Sequence, residues 1–207
     1  MTEDEARDWI LNRFGVPRGT LLERFGAILR EESSRQNLIS AASFETLWAR
    51  HFVDSAQLIP LAADAGEGVW LDIGTGAGMP GLIVALLIDR PVVMVEPRIR
   101  RVEFLRTAAE ALGIGDRAKV AHCKVEAYVP EGKTAIVSAR AVAALPDLFR
   151  GAAHCTDSST IWLLPKGRSA QSEVEAARAK WQGAFHVEPS ITQPESGIVV
   201  ARKVRPR

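Results

Sequence analysis

The sequence predicts an α/β fold: a mostly parallel, seven-stranded sheet covered by helices on both faces and preceded by a helical N-terminal extension. Three observations carry this. The first 60 or so residues hold only helical periodicity. From Val69 onward, strand-like apolar runs alternate with amphipathic ones. The last two strands have no helix between them, only Pro189 to Gly197, so they must pair antiparallel, because a parallel return needs about a dozen residues or more. The expected organisation is an extension over residues 1–65 and a sheet domain over 66–207. The 207 residues, 47% hydrophobic and 25% charged with mean hydropathy +0.01, have the balance of soluble globular domains, which excludes disordered, collagenous and membrane classes.

Thr2 with Glu5 forms a capping-box pattern, Trp9, Ile10 and Phe14 give a helical stripe, and Gly15-Val16-Pro17 stops it. Thr20 with Glu23 repeats the box, and Leu21, Leu22, Phe25, Ile28 and Leu29 recur at helical spacing up to the polar run Glu31 to Asn37. A third helix is expected after Ser43, with Leu47, Trp48, His51, Phe52, Ser55, Leu58 and Ile59 on one side and Pro60 just beyond. The strands follow at Val69–Ile73, Pro91–Glu96, Lys119–His122, Thr134–Ser138, Ile161–Leu164, Phe185–Glu188 and Ile198–Arg202. Helices are expected from Pro80 or Gly81 to Ile88, from Arg98 to Leu112, near Pro146, and from Ser172 to Trp181. The five tryptophans read as core.

The strongest local signal is Leu71-Asp72-Ile73-Gly74-Thr75-Gly76-Ala77-Gly78-Met79-Pro80-Gly81. Glycines at alternate positions after a buried strand let the backbone turn tightly and approach a ligand, while the following helix offers unsatisfied N–H groups. Gly76-x-Gly78-x-x-Gly81 also satisfies the dinucleotide pattern, so the loop alone leaves the nucleotide open. Asp72, on the strand end, can attract an amino donor and suits the cationic S-adenosylmethionine. The hairpin ending replaces the second half of a dinucleotide fold. Glu96, ending strand two, can accept from ribose hydroxyls in either case.

With this loop, the chain resembles bacterial 16S ribosomal RNA methyltransferases of the G family, also called glucose-inhibited division protein B. The resemblance runs from about residue 20 through Asn37-Leu38, Arg50-His51-Phe52-x-Asp54-Ser55, Asp72 to Gly81, Arg100-Arg101-x-x-Phe104-Leu105, Val125-Glu126, Ala139-Arg140-Ala141 and Lys166-Gly167. It implies a seven-stranded, Rossmann-like class I methyltransferase sheet and transfer of a methyl group from S-adenosylmethionine to N7 of a guanine in the 530 loop, guanine 527 of the small-subunit rRNA. Carried over by position, the cofactor contacts fall on Gly74, Met79, Val125, Glu126 and Arg140, to which the loop reading adds Gly76, Gly78 and Glu96. Met79 stands where the family usually has Phe or Leu, and Glu96-Pro97 replaces a common Asp-Ser.

Guanine N7 carries an in-plane lone pair and no proton, so no general base and no catalytic side chain are expected; positioning supplies most of the effect. The 26 basic and 25 acidic residues cancel to +1, so RNA affinity must come from local patches. Arg140 and Lys166 follow neighbouring strands at the edge where open α/β sheets bind ligands, and are expected to flank the cofactor and meet RNA. His51 reads equally as an RNA contact or an interior histidine. The expected partner is 16S rRNA or the 30S subunit. Cys123 and Cys155 form no ligand spacing, so neither a structural zinc nor another metal is expected. Without a leader pattern or a run of about 18 apolar residues, a cytoplasmic protein with no membrane partner is expected. The rival readings are an NAD(P)-dependent oxidoreductase, which lacks a hydride-transfer pair since Tyr128 is the sole tyrosine, and a non-catalytic RNA-binding module.

Overall fold

A computed structural model describes residues 1–207. Helix α1 (Glu3–Phe14) opens on the expected capping box of Thr2 and Glu5 and ends at Gly15, whose φ of 82° suits glycine. Helix α2 (Val16–Ser33) starts at once, with Pro17 in its first turn. Thr20 therefore lies inside the helix, its hydroxyl donating to the Val16 carbonyl, and its box with Glu23 caps nothing. A proline with fixed φ in a first turn outcompetes a later Ser/Thr signal.

The expected third helix is instead a succession of short pieces: a 3₁₀ turn (Ala41–Thr46), a π-helical stretch (Trp48–Val53), α3 (Asp54–Ala56) and α4 (Leu58–Leu61). Pro60 sits within α4 and not beyond it, because a first-turn position requires no intrahelical N–H bond. The N–H groups of Trp48 and Ala49 are satisfied from afar, by the Glu3 carboxylate at 2.9 and 2.8 Å.

The seven strands are β1 (Val69–Ile73), β2 (Val92–Val95), β3 (Ala118–Ala121), β4 (Thr134–Ala139), β5 (Ile161–Gly167), β6 (Trp181–Pro189) and β7 (Gly197–Pro206). Their order is β3-β2-β1-β4-β5-β7-β6, parallel from β3 to β5, with β7 antiparallel to both β5 and β6. The linking helices are α5 (Gly81–Leu87), α6 (Ile99–Ala111), α7 (Leu145–Ala152) and α8 (Ala170–Arg178). Trp181 opens β6 and does not end α8, because its ring packs 5.5 Å from Phe149 in the core.

Alternation along the strands builds two cores. Trp70, Met94, Ile136 and Leu163 face α5, α6 and the N-terminal helices in one continuous cluster. Leu71, Ile73, Val137 and Trp162 face α7 and α8. The parallel strands end along one edge, at Ile73, Val95, Ala121 and Ala139, where the chemistry-bearing loops gather. No helix is long and apolar enough to cross a membrane.

Candidate active site

The glycine loop is shaped by three left-handed backbones, at Gly74, Gly76 and Gly78, with φ of 64°, 61° and 92°. Their surroundings differ. A Cβ on Gly78 would stand 2.9 Å from Leu82 and 3.1 Å from Leu105, so this residue serves helix packing. A Cβ on Gly74 would meet the Val142 side chain at 2.7 Å. Gly76 donates its N–H to Glu96 Oε2 at 3.0 Å. Gly81 lets α5 approach β1, since a Cβ there would lie 2.8 Å from Asp72.

Asp72 does not face a ligand. It is fully buried, accepting from the Gly81 N–H at 2.9 Å and from the Ser138 hydroxyl at 2.7 Å, while Ser138 accepts from the Trp70 indole N–H at 2.8 Å. Burial raises its pKa to about 6, against the lowering effect of these hydrogen bonds. The carboxylate locks the start of α5 to β1 and β4, and offers the cofactor nothing.

Glu96 behaves otherwise. Buried at the end of β2, it accepts from Gly76 N–H and, through Oε1, from Arg98 N–H at 3.0 Å. It lines a cleft of about 380 Å³ together with Gly74, Val125 and Glu126, within the roughly 300–1,000 Å³ of small-molecule sites. Four of the eight expected cofactor residues thus meet in one place. Arg98, Arg101 and Lys124 also line it, as do Ala141 and Val142, the latter beside Gly74.

Arg140 points away from this cleft. Its guanidinium donates to Asp54 at 3.1 Å, to His51 Nδ1 at 3.3 Å and to the sulfur of buried Met79 at 3.3 Å. Because Nδ1 accepts, the His51 ring proton sits on Nε2. Burial, then the charges of Arg140 and Arg50, lower the His51 pKa to about 4, leaving a neutral ring at pH 7. Lys166 is also committed: its side chain is 7% exposed, pairs with Glu173 at 3.0 Å and donates to the Ala143 carbonyl. Arg140 and Lys166 line a second cleft of about 460 Å³, whose wall of Ala141 and Val142 it shares with the first. The pair therefore flanks the neighbouring cleft, with both charges engaged inside the protein.

Residues 19–197 match the family model described as rRNA small subunit methyltransferase G. A Ribosomal RNA small subunit methyltransferase G from Rhizorhabdus wittichii is 49% identical over 100% of this chain and 95% of its own, and one from Zymomonas mobilis is 41% identical over 100% and 96%. The chain belongs to the rRNA small subunit methyltransferase G family. It is a methyltransferase, and small-subunit rRNA is the substrate class that the family's name carries.

Solved methyltransferases share the fold. A ribosomal protein L11 methylase from Lactobacillus delbrueckii matches with TM-score 0.55 and 18% identity over 72% of this chain and 77% of that one. The glycopeptide N-methyltransferase MtfA, solved with S-adenosylmethionine, matches with TM-score 0.58 and 11% identity over 71% and 86%. For this member of the G family, the loop pattern led to Gly74 and the strand-end acid to Glu96, both in the first cleft, but two features escaped the sequence reading. Asp54, which holds Arg140, lies in the Arg50-His51-Phe52-x-Asp54-Ser55 run but had no role attached to it, and Val142, which lines both clefts, carries no motif of its own. The available signal was that run itself, followed, one turn on from Asp54, by a further polar residue, Gln57.

Proposed function

We propose that this protein transfers the methyl group of S-adenosylmethionine to N7 of a guanine in the 530 loop of 16S rRNA, guanine 527 in that RNA's numbering. Its partner is then 16S rRNA or the 30S subunit, met in the cytoplasm. Residues 66–207 would be the catalytic unit, with residues 1–65 as its helical extension. The rRNA half of the reading rests on membership of the rRNA small subunit methyltransferase G family. The cofactor half rests on Glu96 in the first cleft: each oxygen accepts one backbone N–H, which leaves lone pairs free for two ribose hydroxyls. Bound in this cleft, S-adenosylmethionine supplies an electrophilic methyl group on a cationic sulfur.

The chain's own part is positional. Gly76 and Arg98 aim the Glu96 carboxylate, and buried Val125 gives the cleft an apolar surface suited to an adenine ring. Arg98, Arg101 and Lys124 at the same cleft favour an approaching phosphodiester backbone. An N7 lone pair demands no proton acceptor. In keeping with that, Asp72 is closed off by its own hydrogen bonds and the His51 Nδ1 faces a guanidinium.

Equilibrium dialysis against labelled S-adenosylmethionine and NADH tests the cofactor half. Glu96→Gln exchanges an acceptor for a donor opposite a backbone N–H and should weaken S-adenosylmethionine binding roughly 10- to 100-fold, the value of a hydrogen bond to a charged group. Unchanged affinity in a folded variant, or a preference for NADH, would contradict the reading.

A further inference from the structure

The Ala141–Val142 wall is shared by the cofactor cleft and the second cleft, so its placement would set how a base seated in the second cleft meets a methyl donor in the first. It is held in an unusual way. Ala141 has φ 56°, a left-handed conformation rare for a residue with a side chain. The residue before it, Arg140, is tied through its guanidinium to Asp54, and two residues later the Ala143 carbonyl is tied to Lys166.

Asp54 does not act alone. Its Oδ1 accepts from Gln57 Nε2 at 2.9 Å and from the Thr192 hydroxyl at 3.0 Å. Gln57, 4% exposed, also donates to Ser190 and accepts from the Ile191 N–H at 2.9 Å. A carboxylate near the end of the N-terminal extension thus joins the turn between β6 and β7 to the loop after β4, three segments far apart in sequence. A half-buried carboxylate with every oxygen engaged holds one geometry far better than a solvated ion pair does.

We propose that Asp54 and Gln57 are positioning residues for methyl transfer: through Arg140 they set the Ala141–Val142 wall, and thereby the alignment of acceptor base and methyl donor. The inference rests on the rRNA methyltransferase reading above. Neither residue lines the cofactor cleft; only the wall they set does, so their loss should slow the chemical step far more than it weakens cofactor binding. Alignment errors near 1 Å are enough to cost orders of magnitude in rate.

The experiment pairs two readouts on the whole chain. In single-turnover methylation of 30S subunits, Asp54→Asn should lower the rate constant roughly 10- to 100-fold and Thr192→Val about three- to tenfold, each with S-adenosylmethionine affinity within about twofold of wild type. Asp54→Glu, which keeps the charge, should recover part of the rate. Hydrogen exchange without RNA reads the clamp itself: Asp54→Asn should speed exchange at Ala141 to Ala144 and leave Gly74 to Gly78 unchanged. Asp54→Asn with a wild-type rate constant, or with unaltered exchange at the wall, overturns the proposal. A wild-type chain that shows the clamp by exchange yet methylates no rRNA overturns the underlying reading, and with it the claim that the clamp serves this reaction.

Discussion

Position in the sequence told less about single charges than the hydrogen bonds they make. Lys166 follows a strand at the ligand edge, yet its ammonium is occupied by Glu173 and the Ala143 carbonyl. Lys166→Met, which keeps the aliphatic stem, should therefore cost roughly 1 kcal/mol of stability by leaving the half-buried Ala143 carbonyl without its donor, since Glu173 keeps the Leu145 N–H and the Ser169 hydroxyl, with little change in the salt dependence of RNA binding. Urea unfolding and binding titrations across salt concentrations check this. A salt slope reduced by about 1 at unchanged stability would mean that the ammonium reaches a phosphate. Glu96 was singled out because an acid at the end of the second strand can accept from ribose hydroxyls, and it lines the first cleft. The true role of Asp72 was not, since it depends on Ser138, a residue 66 positions away, and no local pattern reports such a pairing.

The parallel strands β1 to β4 were found nearly to the residue. The β6–β7 hairpin was found only in its inner part, Phe185–Glu188 and Ile198–Arg202 of the longer Trp181–Pro189 and Gly197–Pro206, and elements held by remote partners were missed. The run Val69 to Ile73 is β1 as read, because apolar residues in a central parallel strand leave few alternatives. The stretch from Ala41 to Leu61 breaks into short pieces because it packs in several directions: Trp48 lies edge-on to Phe52 at 5.2 Å, and Phe52 reaches Phe25 of α2 at 6.1 Å. Its irregular backbone takes its cap from α1. Glu3→Ala would leave the Trp48 and Ala49 N–H groups without partners, and should lower stability by roughly 1–3 kcal/mol with the loosening centred on Trp48–Val53. Denaturant unfolding monitored at tryptophan and amide exchange in that segment measure it; an unaffected midpoint would show the cap to be dispensable.

For the molecule as a whole, the sheet binds its two cores to one reactive edge, and stability and chemistry both respond there. The raised pKa of Asp72, about 6 against an ordinary 3.8, means that the folded state holds a proton the unfolded chain releases. Stability from this group is present in full below about pH 4 and is lost as pH rises to about 6, a swing on the order of 3 kcal/mol. Asp72→Asn removes the titration, so its stability relative to wild type should climb between pH 4 and 7; a difference independent of pH would show that Asp72 stays ionised. The fold class was readable because strand and helix periods are local, whereas only four of the eight residues expected at the cofactor line one cleft. The division of the edge into two clefts was not readable, because it follows from how the loop after β4, the extension and the β6–β7 turn meet in space. The most direct test of guanine-N7 transfer by positioning alone is single-turnover methylation of 16S rRNA and 30S subunits with labelled S-adenosylmethionine, followed by mapping of the modified nucleoside. The expected result is 7-methylguanosine in the 530 loop, formed at a rate without a base titration between about pH 6 and 9. Label on an exocyclic nitrogen or outside that loop, or a steep single-base pH profile, would contradict it.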